Sequence, residues 1–292
     1  MPSPSPFVVH ISGFRAIIGE SPTLELLVEN EAYPLAHEAG VFIPERNELF
    51  ITNNKIHLGN GTSTSLGPGI GVTCEELTVP IPMANGESTT KMWTILYVLQ
   101  PAIHNDRLEV DFHGRPFNSV NDVVVHPDGS IWFTDPIYGH EQGYRPPPRL
   151  PNQVYRPNGI CFSPDEQVVY VTDTDRIHGD GGTDDARVSS IYAFDLITRH
   201  NQPFLANRRL FAMADGGIPD GIKCDLDGNV YSGCGDGDNV WSPRGELLGR
   251  ILVDGGVANF CFGREGEMFL LNEYRLWRVQ LTGGAKGALL KI

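Results

Sequence analysis

One short pattern of apolar and polar positions recurs along the chain. Each copy begins with a polar residue, continues as a short apolar strand, passes a turn similar to Pro-Asp-Gly and ends in a second strand rich in aromatic and β-branched residues. The copies occupy residues 37–53, 121–135, 158–173, 220–233 and 259–272. Two apolar runs joined by turn residues predict a β-hairpin. At Asp128-Gly129 and Asp227-Gly228 the glycine allows the positive φ that a tight hairpin turn requires.

The spacing of the copies predicts a ring of similar sheets. The long interval after the first copy has room for a further, degenerate copy with outer strands around 75–81 and 93–99. Six units over 292 residues average about 49 residues, close to the roughly 40–50 of a four-stranded propeller blade. Strands at 190–195 and 276–279 fit the same plan. We therefore expect an all-β, six-bladed β-propeller with four-stranded blades, a central channel and a single domain over 1–292. A pair of β-sandwiches or a β-helix fits the period less well.

Composition narrows the fold and the partners. The 33 glycines and 22 prolines argue against a helical bundle, and 40% hydrophobic residues suffice for a sizeable core. The net charge of −14 disfavours nucleic acid and anionic membranes as partners. The chain has no apolar run of about 18 residues, and its first residues carry neither the charged nor the apolar region of a secretory signal. We expect a monomer that acts on a small molecule.

Five cysteines, an odd number without a CxxC motif, indicate thiols rather than a disulfide framework. Cys161, Cys224 and Cys261 lie in apolar stretches, which predicts buried free thiols. A bridge between Cys224 and Cys234 is the alternative. The thiols favour a reducing compartment and therefore a cytoplasmic location.

The polar residue that opens the first strand of each copy should face the channel of a propeller. These residues are Glu38, Asn121, Asn158, Asp220 and Asn259. A single Asn or Asp at a strand start is more often a turn residue than a ligand, but all five positions carry oxygen donors. Carboxylate and amide oxygens together favour Ca²⁺, with Mg²⁺ and Mn²⁺ as alternatives. The pattern predicts a divalent-cation site.

Several longer motifs resemble the regucalcin/gluconolactonase (senescence marker protein) family. They are His37-Glu38-Ala-Gly, Asn118-Ser-Val-Asn121-Asp-Val-Val, Trp132-Phe-Thr-Asp-Pro-Ile-Tyr-Gly139, Pro157-Asn158-Gly-Ile-Cys-Phe-Ser-Pro-Asp165, Tyr170-Val-Thr-Asp-Thr174 and Pro219-Asp220-Gly-Ile. The stretches 121–139 and 158–174 are the most specific. The resemblance implies a six-bladed propeller with a divalent cation in its channel, and many members of that family hydrolyse lactones.

The resemblance also implies roles for individual residues. Glu38, Asn158 and Asp220 match the family's metal ligands, and Asp220 also matches its proposed general base. Asn121 matches an asparagine that reaches the ion or the substrate. Asn259 is carried only as a channel residue that contacts substrate, because Ala258 replaces the family's usual threonine. The implied enzyme is a metal-dependent lactonase in which the cation, Ca²⁺ or else Mg²⁺, Mn²⁺ or Zn²⁺, polarises the carbonyl and helps to activate water.

Three departures from the family pattern leave the reaction open. Ala39 and Val120 change the motifs around Glu38 and Asn121, and Ser119 stands where some members carry a substrate-binding arginine. A serine there argues against a phosphorylated or strongly anionic sugar lactone. The alternatives to hydrolysis are a propeller that binds a small molecule and one that catalyses cyclisation or condensation. A protein-interaction propeller would not require ligand-type residues in its channel.

Other polar features have less specific interpretations. We expect His37 to pack beside the site rather than bind the ion, because neighbouring strand residues point to opposite faces. His104, His113 and His140 lie in predicted loops. The acidic loop 173–185 resembles a Ca²⁺ loop in composition but lacks EF-hand spacing. It is interpreted as a solvated loop, with ion binding as the alternative. The proline-rich stretch 145–149 is interpreted as a stiff lid segment.

Overall fold

The computed structural model of the protein describes residues 5–32, 34–52, 117–143, 154–200 and 202–291, together with the backbone of six short strands between residues 56 and 116. In chain order the elements are β1 (Phe7–Val9), α1 (Gly13–Ile18), β2 (Thr23–Glu29), β3 (Glu38–Ile43), β4 (Glu48–Thr52), β5 (Ile56–His57), β6 (Ser63–Thr64), β7 (Cys74–Pro82), β8 (Ser88–Leu96), β9 (Asp111–Phe112), β10 (Arg115–Pro116), β11 (Val123–Val125), β12 (Ile131–Phe133), α2 (Tyr138–Glu141), β13 (Pro157–Phe162), β14 (Val168–Asp173), β15 (Ser190–Arg199), β16 (Gln202–Met213), β17 (Ile222–Cys224), β18 (Val230–Cys234), β19 (Gly237–Trp241), β20 (Leu247–Leu252), β21 (Asn259–Phe262), β22 (Glu267–Asn272) and β23 (Arg275–Gln280).

All five recurring segments fold as antiparallel hairpins, as the sequence predicts. The pairs are β3–β4, β11–β12, β13–β14, β17–β18 and β21–β22. Gly129 and Gly228 adopt φ of 87° and 82° in their turns. These left-handed values are favourable for glycine and unfavourable for most other residues. The local turn chemistry therefore determines where these strands reverse.

Three sheets are completed by strands from distant parts of the chain or by long hairpins. One sheet has the order β13–β14–β15–β16, and another joins β21, β22 and β23 to β2. The third runs β17–β18–β19–β20 and adds β1 at its edge. Because β1 and β2 pair with β20 and β23, the first thirty residues complete two sheets formed by the last third of the chain.

The first strands of the hairpins lie side by side in the order β11, β13, β17, β21 and β3. Their starts approach closely because glycine follows two of the predicted site residues. A Cβ on Gly159 would come within 2.4 Å of the Asp220 carbonyl oxygen, and one on Gly221 within 2.4 Å of the Asn259 side chain. Cross-strand bonds also join the starts, including one of 2.8 Å from the Gly221 N–H to the Ala258 carbonyl.

Apolar side chains fill the space between neighbouring sheets. Tyr231, Phe260 and Phe262 pack with tilted and edge-on rings, and Phe14 of α1 is fully buried beside them. A Cβ on Gly249 would come within 2.1 Å of the Phe14 ring, so the glycine makes room for this aromatic side chain. Aromatic contacts of this kind bury large apolar areas and add directional stabilisation. The packing joins the neighbouring sheets through a shared apolar core.

The described cysteines are buried free thiols, as the sequence predicts. Cys161, Cys224, Cys234 and Cys261 form no disulfide, so the alternative Cys224–Cys234 bridge is wrong. The sulfur atoms of Cys161 and Cys224 lie 3.7 Å apart across the neighbouring strands β13 and β17. A reducing compartment remains a prediction.

The structure describes the predicted degenerate copy only in part, as strand backbone. Its outer strands are expected around 75–81 and 93–99, and β7 and β8 form an antiparallel pair over much of that region. His104, His113 and the proline-rich stretch 145–149 lie outside the described residues. In the part of the chain that the structure describes, no helix is long and apolar enough to cross a membrane.

Candidate functional site: a buried cluster of oxygen donors

Four of the five predicted channel residues each bury a side-chain oxygen without a hydrogen-bond partner among the described residues. The four atoms are Glu38 Oε1, Asn121 Oδ1, Asn158 Oδ1 and Asp220 Oδ1. Nearly all buried polar atoms in folded proteins have a partner, so a group of unpartnered acceptors requires an explanation. All four residues stand within two positions of the start of the strands β3, β11, β13 and β17.

Glu38 connects the first strand of one hairpin to the next. Its Oε2 accepts a 2.6 Å hydrogen bond from Asn259 Nδ2, and Asn259 begins the adjacent strand β21. The Asn259 Oδ1 accepts the Phe260 N–H at 2.8 Å. Asn259 therefore holds the Glu38 carboxylate in place and leaves Oε1 available to a ligand. Contact between Asn259 and substrate stays a prediction.

Asp220 and Glu38 are close enough to affect each other's ionisation. Burial raises the pKa of Asp220 well above its usual range, and the negative charge of Glu38 raises it further. Burial also raises the pKa of Glu38, whereas the neighbouring His37 lowers it. Two buried carboxylates repel each other, and positive charge between or beside them offsets this repulsion.

This donor set suits a hard divalent cation. The four unpartnered atoms are two carboxylate oxygens and two amide oxygens, the ligand types that Ca²⁺ accepts in flexible geometries. A divalent cation in contact with these oxygens would supply their missing partner and balance the two carboxylates. Among the described residues no group of three or more His, Cys, Asp and Glu side chains could hold a metal ion, so any site here depends on the amides.

His37 lies beside Glu38 instead of pointing away from it. Its Nδ1 is 2.7 Å from Glu273 Oε1, and its Nε2 is 3.9 Å from Glu38 Oε1. These contacts agree with the expectation that His37 packs beside the site. The alternation of faces within a strand does not apply to it, because His37 precedes β3, whose register with β4 shifts between Glu38 and Val41. Burial lowers the pKa of His37, but the hydrogen bond to Glu273 and three nearby carboxylates raise it to about 9. The protonated imidazole therefore offsets part of the negative charge.

Lys223 and Asp122 form a charged pair that the sequence analysis did not identify. Lys223 Nζ lies 3.7 Å from Asp122 Oδ2 and 3.5 Å from Asn259 Oδ1. Asp122 Oδ2 also accepts the Ile160 N–H at 3.0 Å, which joins β11 to β13. Although burial lowers the pKa of Lys223, Asp122 and other negative groups raise it overall. The only hint of this pair in the sequence is a charged residue inside or beside an apolar strand. Asp122 directly follows Asn121, and Lys223 directly follows Ile222.

Tyr138 is a third residue that only the structure identifies. It begins α2, and its hydroxyl accepts a 3.4 Å hydrogen bond from Asn158 Nδ2 and meets Thr174 Oγ1. Burial raises the pKa of Tyr138, and the charge of Asp220 raises it further, so the phenol stays protonated. The tyrosine lies in the resembling motif 132–139, but its spacing did not indicate a role.

The acidic loop 173–185 is held largely by bonds within the protein. Asp173 accepts the N–H groups of Tyr155 and Arg156, and Asp175 pairs with the Arg156 guanidinium. Near its end, Arg176 pairs with Asp185 at 2.7 Å. Its partly exposed residues agree with a solvated loop, although Asp173 and Asp175 themselves are buried. His140 is exposed on α2.

Comparison with known proteins identifies the family of this chain. The family described as the SMP-30/Gluconolactonase/LRE-like region matches residues 29–271. Since this match covers most of the chain, the protein belongs to that family.

Two curated relatives are named lactone hydrolases. Lactonohydrolase oryL of Aspergillus oryzae is 26% identical over 94% of this chain and 72% of its own length. Gluconolactonase of Zymomonas mobilis is 29% identical over 62% of this chain and 56% of its own length. The similarity to the second relative thus spans little more than half of that protein.

Two solved structures share the fold. A gluconolactonase from Xanthomonas campestris superimposes with a TM-score of 0.61 at 24% identity, over 96% of each chain. Regucalcin from Agrobacterium tumefaciens, described as a calcium-binding protein, gives a TM-score of 0.55 at 17% identity, over 91% of this chain and 95% of its own. At these identities the comparison concerns the arrangement of the backbone.

Proposed function

We propose that this protein hydrolyses a lactone or a related cyclic ester with the help of a divalent cation. The observation that carries the proposal is the set of four unpartnered buried oxygens on Glu38, Asn121, Asn158 and Asp220. The family membership and the relatives named as lactonases support lactone hydrolysis as the reaction.

The architecture that we propose is one six-bladed β-propeller domain over 1–292, with this site in its central channel. The side-by-side order of β11, β13, β17, β21 and β3 supports five of the blades. The addition of β1 and β2 to sheets of the last third of the chain is a natural way to close such a ring. The sixth blade is assigned by the length of chain between β4 and β11.

In the proposed site, Glu38, Asn158 and Asp220 hold the cation. Ca²⁺ suits their mixed carboxylate and amide oxygens best, and Mg²⁺, Mn²⁺ or Zn²⁺ are the alternatives. When bound, the cation would polarise the lactone carbonyl as a Lewis acid. Asn121 Oδ1 is also buried without a hydrogen-bond partner among the described residues, and we assign it to the cation or to the substrate.

The chain's own residues then supply the acid–base chemistry. The Asp220 carboxylate accepts a proton from the water whose oxygen bonds to the carbonyl carbon. The ring C–O bond breaks, and its oxygen leaves as a hydroxyl after it receives that proton. The product is a hydroxy acid. Glu38 is held by Asn259 throughout, so the geometry does not need to reorganise.

The substrate that we propose is a lactone without a phosphate. Ser119 stands where some family members carry a substrate-binding arginine. Hydrogen bonds to Asp135 hold the backbone of this segment in place. Asp135 accepts the backbone N–H groups of Asn118 and Ser119 at 3.0 and 2.7 Å. The serine is buried and cannot provide the positive charge that would balance a phosphate.

The test combines acid release with metal removal. Purified full-length protein is incubated with a panel of neutral and phosphorylated lactones, and hydrolysis is followed with a pH indicator. We expect acid release from a neutral lactone, loss of activity after dialysis against a chelator and recovery when Ca²⁺ or Mn²⁺ is added. Asp220→Asn should abolish activity, whereas Asp180→Asn, on the exposed loop, should retain it.

Other outcomes would contradict the proposal in different ways. Thermal stabilisation by metal without acid release from any lactone would favour a binding protein or a cyclising enzyme on the same scaffold. Full activity in chelator-treated protein that elemental analysis shows to be metal-free would refute the metal dependence. Full activity of Asp220→Asn would remove the general-base role.

A further inference from the structure

A chain of hydrogen bonds leads away from the proposed ligand Asn158. Asn158 Nδ2 donates to the Tyr138 hydroxyl at 3.4 Å, and this hydroxyl meets Thr174 Oγ1. Thr174 Oγ1 in turn donates to the backbone carbonyl of Arg156 at 3.3 Å. The chain thus runs from an amide in the site through two hydroxyl groups to a backbone carbonyl.

The carbonyl at its end determines the direction of every bond. A backbone carbonyl only accepts hydrogen bonds, so the Thr174 hydroxyl donates its single proton to the Arg156 carbonyl oxygen. Thr174 Oγ1 can then only accept a hydrogen bond from the Tyr138 hydroxyl, so the phenolic proton lies in that bond. The Tyr138 oxygen can therefore only accept from Asn158. The Tyr138 oxygen therefore binds the NH₂ group of the Asn158 amide, and the amide oxygen must point away from Tyr138.

Asn158 Oδ1 is one of the four unpartnered oxygens of the site. A reversed amide would present its NH₂ hydrogens to the position that a cation would occupy, where they repel positive charge. Because the two ends of an amide have nearly the same shape, packing alone discriminates poorly between these orientations. The orientation depends on hydrogen bonding.

Arg156 also holds the helix that carries Tyr138. Its guanidinium pairs with Glu141 of α2 and with Asp175, and all three side chains are largely buried. Glu141 Oε2 additionally accepts the Gly179 N–H at 2.6 Å. The same residue therefore ends the chain with its carbonyl and fixes α2 with its side chain.

We propose that Tyr138 and Thr174 are positioning residues that orient the Asn158 amide so that its oxygen faces the bound cation. This inference rests on the proposed cation site. It adds two residues that touch neither the cation nor the reacting atoms and act through Asn158.

The test measures cation affinity directly. Ca²⁺ is titrated calorimetrically into the full-length, chelator-treated wild type and variants. We expect Tyr138→Phe and Thr174→Val each to weaken Ca²⁺ binding about 10-fold, the lower end of the effect of residues that orient metal ligands. Thr174→Ser keeps the hydroxyl and should bind Ca²⁺ as the wild type does. Tyr192→Phe, on β15, is the matched control and should also be unchanged.

A double variant tests whether the two residues act in series. Because Thr174 acts only through the phenol, adding Thr174→Val to Tyr138→Phe should weaken binding no further than Tyr138→Phe alone. Independent, additive losses would refute the chain. If Thr174→Val unfolds, Tyr138→Phe and Thr174→Ser still decide the matter, since both nearly preserve volume.

Asn158→Ala separates failure of this inference from failure of the site. If Asn158→Ala loses Ca²⁺ binding while Tyr138→Phe binds like the wild type, the orienting chain is wrong and the site stands. If Asn158→Ala binds Ca²⁺ like the wild type, the proposed cation site is wrong, and the inference fails with it.

Discussion

Asn259 and Glu38, separated by 221 positions in the sequence, are joined by a 2.6 Å hydrogen bond from an amide to a carboxylate. Asn259 is fully buried and begins β21, and Glu38 begins β3. The bond connects the last hairpin of the chain to the first at the position of the proposed site. It leaves one Glu38 oxygen engaged and the other available.

We expect Asn259→Ala to weaken Ca²⁺ binding about 10-fold and to lower the free energy of unfolding by about 1.5–3 kcal/mol. The reason is the loss of a hydrogen bond to a buried charged group. In metal-free protein, Asn259→Asp should lower the free energy of unfolding more than Asn259→Ala does, because it places a second carboxylate against Glu38. Calorimetric titration and urea unfolding measure the two effects. Equal unfolding midpoints for both variants in chelator would contradict the expectation.

Gly221→Ala should destabilise the protein by about 1–3 kcal/mol and impair Ca²⁺ binding. The added Cβ would lie 2.4 Å from Asn259, so either the strand start or the Asn259 side chain must move. Gly13→Ala is the matched control, since its Cβ would meet only Leu248 at an ordinary 3.8 Å. Thermal unfolding with and without Ca²⁺ measures both changes. A Gly221→Ala protein as stable as Gly13→Ala would show that the close approach of the strands is wrong.

Arg156→Met should lower the free energy of unfolding by about 3–5 kcal/mol, because it leaves Glu141 and Asp175 buried without their cation. Arg187 also faces Asp175, at 3.6 Å, but is half exposed. Arg187→Met should therefore change stability by less than about 1 kcal/mol. Urea unfolding of the two variants gives the comparison. Similar losses for both would mean that burial does not distinguish these ion pairs.

Asp238→Asn should stabilise the protein at neutral and alkaline pH, by roughly 1–3 kcal/mol. Asp238 is fully buried, and neither carboxylate oxygen has a hydrogen-bond partner among the described residues. Burial raises the pKa of Asp238 well above its usual range; Lys223 lowers it and Asp236 raises it.

The sign of the pH dependence follows from that raised pKa. The folded protein keeps the proton to higher pH than the unfolded chain, so the contribution of Asp238 is fully present below the unfolded pKa of about 3.9 and is lost as pH rises. The advantage of Asp238→Asn over the wild type should grow from pH 4 to pH 8 in thermal unfolding scans. Asp180→Asn, at an exposed position, should show no such trend. An advantage that shrinks with rising pH would contradict the assignment.

Local chemistry in the sequence was sufficient to predict the hairpins and to indicate Glu38, Asn121, Asn158 and Asp220. Strand alternation and Asp-Gly turns act over a few residues, and a repeat places equivalent residues at equivalent positions. The same reasoning could not assign Asn259 its bond to Glu38, or find Tyr138, Thr174 and Lys223, because those contacts join residues that are distant in the sequence.

Local patterns in the sequence determined which segments become strands and which oxygen-bearing residues stand near the strand starts. Only the tertiary structure decided that β1 and β2 pair with β20 and β23, that His37 meets Glu273, and that Asn158 meets Tyr138. The physical reason is that a hydrogen bond or an ion pair depends on distances of about 3–4 Å between atoms whose residues are tens to hundreds of positions apart. Those distances arise only when the apolar faces of the sheets pack together.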